Sequence, residues 1–364
     1  IHGSQFIMPH TPIPRQVLMI KSHSMGIGDI LRSSAAWRVM KDRWPGVKLH
    51  LLFLSRHSGY PSEALIAQHH LLESATFLTV REGTPYSADA QKVSNLKIFQ
   101  KVWELAQSIQ PDWVIDFEWA GSRTSLISLV AKWASGAKSA GIAQFPLRSV
   151  FYDLSAPSSI HYAQRHGLSE PFDYTHRDFV CLSAFGLERD DAAIELSVNH
   201  DARMAVENIL PECPSGWLRV GLNIGCATVG AAHKRMALSL LASHMAHWMQ
   251  QQRIQLILTG APNERDINQT FIAELQSRIN EVNQVFDFAG QTDMLTLPAL
   301  IDACQIFVST DSGPYHMAVA LKKPTLCWLT YNETTSFHFH PWVRCLVNPD
   351  EAAFMTAVSA LSAS

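Results

Sequence analysis

Asp311, Ser312, Gly313 and His316 are the residues whose spacing points most directly to chemistry. The apolar run from Gln305 to Val308 reads as a buried strand. Ser309-Thr310-Asp311-Ser312-Gly313 reads as a turn, and His316 to Leu321 has the spacing of a short helix packed on a sheet. Strand, small-residue turn and helix bring free backbone N–H groups and a positive helix end to the carboxyl edge of a sheet, a geometry that binds phosphate. Asp311 and Ser312 equally suit helix capping, which alone accounts for such residues in many units of this kind.

A second unit of this kind stands near the amino terminus. Val17-Leu18-Met19-Ile20 enters the turn Gly26-Ile27-Gly28-Asp29, a helix follows from about Ile30 to Arg43, and Val47 to Leu54 is the next strand. Asp29 at that turn reads at its simplest as a helix N-cap, worth roughly 1 kcal/mol. Gly26-Ile27-Gly28-Asp29 is not the G-x-G-x-x-G fingerprint, and no acidic residue ends the second strand, so a nicotinamide site is rejected. Glu264, opening a helix after Thr259-Gly260-Ala261-Pro262-Asn263, favours the helix N-terminus. Arg123 follows a loop at the carboxyl edge of the first sheet, where an acceptor bearing carboxylates or phosphates would want an arginine fork. His316 reads as a packed core residue or as a contact to phosphate or sugar. His338-Phe339-His340 has a ligand pair's spacing without a third ligand, and it reads as a chance pair on a histidine-rich chain. No D-x-D follows an apolar strand, and no metal is expected.

These residues need a large scaffold. The 364 residues fit two domains, and 47% hydrophobic against 17% charged residues describes a globular chain. A formal charge of −3 argues against a dedicated nucleic-acid binder. The six cysteines form no C-x-x-C pair and read as reduced core residues. No apolar run reaches the length of a membrane span and no signal peptide is read, so a cytoplasmic protein is expected, in peripheral contact with the inner membrane. Lys92, Lys97 and Lys101 share a helix face suited to anionic lipid, although a solvated face is the simpler reading.

Strands and helices alternate throughout. In the first half, strands at Thr76 to Val80 and Trp113 to Phe117 accompany helices over Ala88 to Ile109 and Arg123 to Trp133. The second half has strands at Leu218 to Ile224, Gln255 to Leu258, Val285 to Ala289, Ile306 to Ser309 and Thr325 to Leu329. The expected division is a Rossmann-like domain over 1–155, a linker over 156–190, a second Rossmann-like domain over 191–348 and a last helix over 349–364.

Gly290-Gln291-Thr292, Leu297, Leu300-Ile301 and Cys304, followed by D-S-G-P-x-H-x-A-x-A-x-x-x-P from Asp311 to Pro324, resemble the carboxyl-terminal signature of the lipopolysaccharide heptosyltransferases of glycosyltransferase family 9. The resemblance implies the GT-B fold, two doubly wound domains facing a cleft, with the last helix packed back on the first domain. It implies an inverting, metal-independent enzyme without cofactor that moves a heptose from ADP-heptose to an anionic lipid A–core acceptor. Gly28-Asp29 match the family's G-D, which makes Asp29 the expected base and puts Gly28, with Arg123, on the acceptor side. Lys234 matches a family lysine facing the diphosphate, with Thr228 as hydroxyl donor in the loop before it. The family's following Trp-Pro is missing from Lys234-Arg235-Met236-Ala237. Glu264 matches a glutamate that accepts ribose hydroxyls, and Asp311, Ser312, Gly313 and His316 complete the donor set. Another nucleotide sugar or acceptor, or a catalytically silent nucleotide-binding scaffold, are the competing readings.

Overall fold

Runs such as Val17–Ile20 and Leu51–Leu54 have no polar face, so they can rest only as parallel strands covered on both sides. The computed structural model describes residues 13–22, 26–55, 61–82, 91–119, 123–226, 231–280, 282–331 and 336–363. In the first domain, β1 (Gln16–Ser22) leads to α1 (Ile27–Leu31) and α2 (Ser33–Arg43). Then follow β2 (Lys48–Ser55), α3 (Pro61–Ala67), β3 (Ser74–Thr79) and a small hairpin of β4 (Arg81–Glu82) with β5 (Gln91–Lys92). Next come α4 (Asn95–Ile109), β6 (Trp113–Asp116), α5 (Arg123–Ser135), β7 (Lys138–Ile142), β8 (Leu154–Ala156), α6 (Ser159–Arg165) and α7 (His176–Leu182). The second domain runs through α8 (His200–Ile209), β9 (Leu218–Asn223), α9 (Leu238–Gln251), β10 (Ile254–Leu258), α10 (Arg265–Gln276) and β11 (Val285–Asp287). It ends with α11 (Leu297–Asp302), β12 (Ile306–Ser309), α12 (Gly313–Ala320), β13 (Thr325–Leu329), β14 (Val343–Val347) and α13 (Glu351–Ser362).

Each domain is built on a six-stranded parallel sheet, ordered β3-β2-β1-β6-β7-β8 in the first and β11-β10-β9-β12-β13-β14 in the second. Both orders reverse direction beside the domain's first strand, and that switch point is where α/β sheets open a crevice for ligands. The two crevices belong to the turns after β1 and β12. Helices α4 and α5 cover one face of the first sheet through Ile98, Val102, Ile127 and Ala131. The other face belongs to a larger cluster that passes from Trp37 and Phe179 into Phe307 and Tyr315 of the second domain, so the two domains share apolar packing at their junction.

Three features differ from the sequence reading. The stretch expected as a linker over 156–190 is folded: α6 and α7 bury Tyr162, Phe179 and Val180 in the first domain's core. The chain crosses later, where Leu196 N–H bonds Ala320 O at 3.3 Å and Arg38 grips Glu195 with two hydrogen bonds of 2.7 and 2.9 Å. Among the described residues, helix α13 packs on the second domain rather than on the first. Phe354, Val358 and Leu361 bury against the second domain's Trp248 and Trp328, because the apolar stripe of α13 finds an aromatic shelf there. Helix α4 begins at Asn95, capped by the Ser94 hydroxyl, rather than at Ala88, which lies outside the described residues.

Candidate active site at the domain junction

The amino ends of α1 and α12 meet face to face. A methyl group on Gly28 would collide with the His316 ring, and one on Gly313 would press on Ile27 Cγ2 at 2.7 Å. Glycine at both positions is a requirement of close approach between the two domains. Gly28, expected on the acceptor side, is thereby a junction residue beneath His316.

Asp29 is not the N-cap residue of its helix. The N-cap is Gly26, and Asp29 lies within the first turn of α1, where a carboxylate favours the helix dipole. Two donors converge on its Oδ1: the Tyr174 hydroxyl, and Arg32 Nη1 at 3.1 Å. Burial pushes this carboxyl up, but Arg32, the Tyr174 bond, Lys21 and His316 together outweigh it and hold the group below the usual carboxylate range. Asp29 is therefore ionised at neutral pH while its side chain is still 40% exposed.

Arg32 is anchored from behind. Asp178 on α7 accepts from Arg32 Nε at 2.9 Å, from Lys21 Nζ at 2.7 Å and from Ser33 Oγ at 3.1 Å. Burial opposes the Asp178 charge, yet Arg32 and Lys21 draw its pKa down to about 2. Burial dominates at Lys21 and lowers its pKa against the pull of Asp178. Two cations and two carboxylates thus form a neutral cluster, which is how buried charges avoid a large desolvation cost.

On the second domain, Asp311 organises donors more than it offers a free carboxylate. Its Oδ2 accepts from Lys234 Nζ at 2.6 Å and from Tyr331 Oη at 2.9 Å, and His316 Nε2 lies 3.6 Å from Oδ1. Burial would raise the Asp311 pKa, but His316 and Lys234 hold it far below the usual range. The Thr310 hydroxyl bonds the backbone carbonyl of Lys234 and ties the loop carrying the lysine to the turn after β12. Ser312 is the N-cap residue of α12, but its hydroxyl is used elsewhere, at 3.0 Å from Asn223 Nδ2 and 3.1 Å from Ser309 Oγ, so its side chain makes no capping bond.

Glu264 closes a short turn over Pro262–Glu264, where its Oε2 accepts from Ala261 N–H at 2.8 Å. Its Oε1 is buried with no hydrogen-bond partner among the described residues and lies against Gly225, where a Cβ would strike it. Burial pushes the Glu264 carboxyl up; Ala261 N–H and Arg235 pull the other way and do not prevail. An unpartnered buried acceptor costs about 1–3 kcal/mol, a cost that ligand hydroxyls would offset.

His316 is buried, with Nδ1 at 3.0 Å from His338 Nε2 and its ring stacked on Tyr174 at 5.4 Å. Thus Asp29, Gly28, Lys234, Asp311, Ser312, Gly313 and His316 gather at one junction. Thr228 lies outside the described residues. Arg123, half-buried at the start of α5, makes no hydrogen bond or ion pair with this group among the described residues. Tyr174, Arg32, Asp178, Asn223 and Tyr331 were not read as site residues. Tyr174 sits in a stretch that looked like linker, and Arg32 and Asp178 are 146 residues apart in sequence. Tyr174 also lines a cavity of about 500 Å³ with Trp119, Ile160, Leu168 and Phe172.

The third partner that His338 and His340 lacked is Asp173, and potential ligand atoms of all three lie within 4.8 Å of one another. The group fits a cation poorly. Asp173 Oδ2 already accepts Phe339 N–H at 2.9 Å and faces Arg189 Nη2 at 3.0 Å, whose charge would repel the ion.

The profile of glycosyltransferase family 9 (heptosyltransferase) matches residues 243–348, which bears out the resemblance read from Gly290 to Pro324. Lipopolysaccharide heptosyltransferase 3 of Escherichia coli strain K12 is 30% identical over 99 residues, covering 27% of this chain and 27% of its own length. The match therefore spans about a quarter of that relative. The E. coli ADP-heptose lps heptosyltransferase II structure superposes with a TM-score of 0.64 at 14% identity, over 95% of this chain and 98% of that one. E. coli heptosyltransferase WaaC with ADP-2-deoxy-2-fluoro heptose gives 0.60 at 14% identity, over 94% and 99%. The fold is GT-B.

Proposed function

We propose that this chain is an inverting heptosyltransferase that moves a heptose from ADP-heptose to the inner core of a lipopolysaccharide acceptor. The observation that carries this reading is the meeting of an ionised, donor-held Asp29 with the Lys234–Asp311–His316 group across one junction. The family 9 match and the likeness to heptosyltransferases, one of them bound to an ADP-heptose analogue, support the donor and acceptor classes.

Asp29 takes the proton from the acceptor hydroxyl as that oxygen attacks the anomeric carbon from the face opposite the diphosphate. The bond from the anomeric carbon to the diphosphate oxygen breaks, and its electron pair leaves with ADP. Charge growing on that oxygen is offset by Lys234, shared with Asp311, and by the uncapped start of α12 at Ser312-Gly313. Thr228 adds a hydroxyl to the same group. Glu264 Oε1 accepts from the ribose. On the first domain, Arg123 and the Tyr174-lined cavity face the acceptor. The enzyme works without a metal ion in the cytoplasm, against the inner-membrane surface that holds its acceptor.

The absent Trp-Pro after Lys234 favours, as the second reading, a family member with another nucleotide sugar. Thermal shift with ADP-heptose, UDP-sugars and GDP-sugars separates the two. A large shift with ADP-heptose alone supports the first reading, and a larger one with a UDP-sugar moves the assignment to the second.

A further inference from the structure

The outer ridge of α5 is apolar where a solvated helix is polar. Leu126 and Trp133 stand seven residues apart on one side of the helix, with half-buried Leu129 between them. Leu126 is 39% and Trp133 65% exposed. The inner side carries the core contacts of Ile127 and Ala131, with half-buried Val130 packed against the same cluster, so Leu126 and Trp133 are the apolar residues of α5 that the core does not take up.

The surface continues beyond the helix. Residues 148–151 pack on α5 and β7, and this stretch exposes Leu147 at 77% and Val150 at 72%. Leu147 holds a left-handed φ of 66°, a conformation leucine rarely adopts, in order to stand in solvent. On the neighbouring α4, Leu96 and Trp103 are likewise exposed seven residues apart. Single exposed apolar residues are ordinary, whereas a run of them across adjoining elements marks an interaction surface.

Charge selects the partner. Helices α4 and α5 carry Lys97, Lys101 and Arg123 against Glu104, three minus one giving +2, with Lys132 paired to Asp153 at 2.7 Å, in a chain whose formal charge is −3. Exposed tryptophan and leucine beside lysine and arginine, on short helices none of which is long and apolar enough to cross a membrane, match a bilayer interface. We propose that the α4–α5 face and the adjoining Leu147–Val150 stretch dock the first domain on an anionic phospholipid bilayer. This names the surface for the membrane contact in the functional reading above, and it rests on that reading only for its purpose. Docking itself needs neither donor nor acceptor.

The test is flotation of the full-length, untagged protein with vesicles of phosphatidylcholine alone or mixed with phosphatidylglycerol. The wild type should float with the mixed vesicles and largely not with the neutral ones, and high salt should weaken the association. A variant combining Trp133→Glu, Leu147→Glu and Val150→Glu should lose roughly tenfold or more of that partition. Its melting temperature and its thermal shift with ADP should stay at wild-type values. Absence of binding to anionic vesicles, or binding that the triple variant retains, overturns the proposal. So does sedimentation showing a dimer that the same substitutions dissociate, because the face would then be a self-interface. Vesicle binding with no ADP-heptose turnover would leave the docking surface standing and remove the catalytic reading.

Discussion

Replacing Asp29 by asparagine separates a chemical role from a structural one, because Gly26, not Asp29, is the N-cap residue of α1 and asparagine keeps an accepting oxygen in the same place. The amide keeps the size of the side chain and can still accept from Tyr174 and Arg32. It cannot hold a proton taken from a hydroxyl. General-base catalysis contributes roughly 10²- to 10⁴-fold, so kcat should fall by that factor, about 3 to 5 kcal/mol in barrier. The structural cost is smaller. Lys21 and Arg32 would be left with Asp178 as their carboxylate, but the Asp29 side chain is 40% exposed, so solvent screening limits the loss to about 1 kcal/mol. That corresponds to a shift of roughly 2–4 °C in melting temperature at most for a domain of this size. The assay is ADP release under saturating ADP-heptose and acceptor, with donor affinity measured separately and melting temperature as the folding control. A folded variant with near-normal kcat refutes the base assignment. Loss of donor binding in proportion to kcat would instead make Asp29 a structural part of the junction.

Four further outcomes follow from the same geometry. Glu264→Gln should raise KM for the donor about tenfold with little change in kcat, since it alters a ribose contact present in both ground and transition states; kinetics with varied ADP-heptose read this directly. Gly28→Ala should cost about 1–3 kcal/mol, measured by urea unfolding, and lower activity, because the added methyl meets a His316 ring already held by His338 and Tyr174. Asp178→Ala should destabilise by about 3–5 kcal/mol by leaving Lys21 and Arg32 buried with less compensation. Because the folded pKa of Asp178 is depressed from 3.8 to about 2, its contribution, on the order of 2 kcal/mol, is present above the unfolded value and lost as pH falls through the folded one. Chemical denaturation of wild type and variant across acid pH would show that difference closing. Activity should persist in EDTA, since Lys234 and the start of α12 offset the diphosphate charge; loss restored by Mg²⁺ would contradict this.

The fold was legible because both sheets are made of continuous apolar runs separated by helix-spaced segments, and the switch-point turns carry glycine and aspartate. The signature from Gly290 to Pro324 located one wall of the domain junction for the same local reason. What the sequence hid is long-range. Nothing near Tyr174 signals that its hydroxyl reaches Asp29, 145 residues earlier. Lys234 and Asp311 were both read toward the diphosphate, while the structure pairs them with each other. Helix α13 shows an apolar stripe, but a stripe does not say which domain owns the complementary shelf. That Glu264 Oε1 is buried without a partner among the described residues is likewise a property of packing against Gly225 rather than of spacing.

The central claim is transfer of heptose from ADP-heptose, and the direct measurement is mass spectrometry of a heptose-deficient lipopolysaccharide acceptor incubated with the enzyme and a panel of nucleotide sugars. The account predicts addition of one heptose residue with matching ADP release from ADP-heptose, and none from UDP- or GDP-sugars. An acceptor unchanged by ADP-heptose, or glycosylated from a UDP-sugar instead, would contradict it.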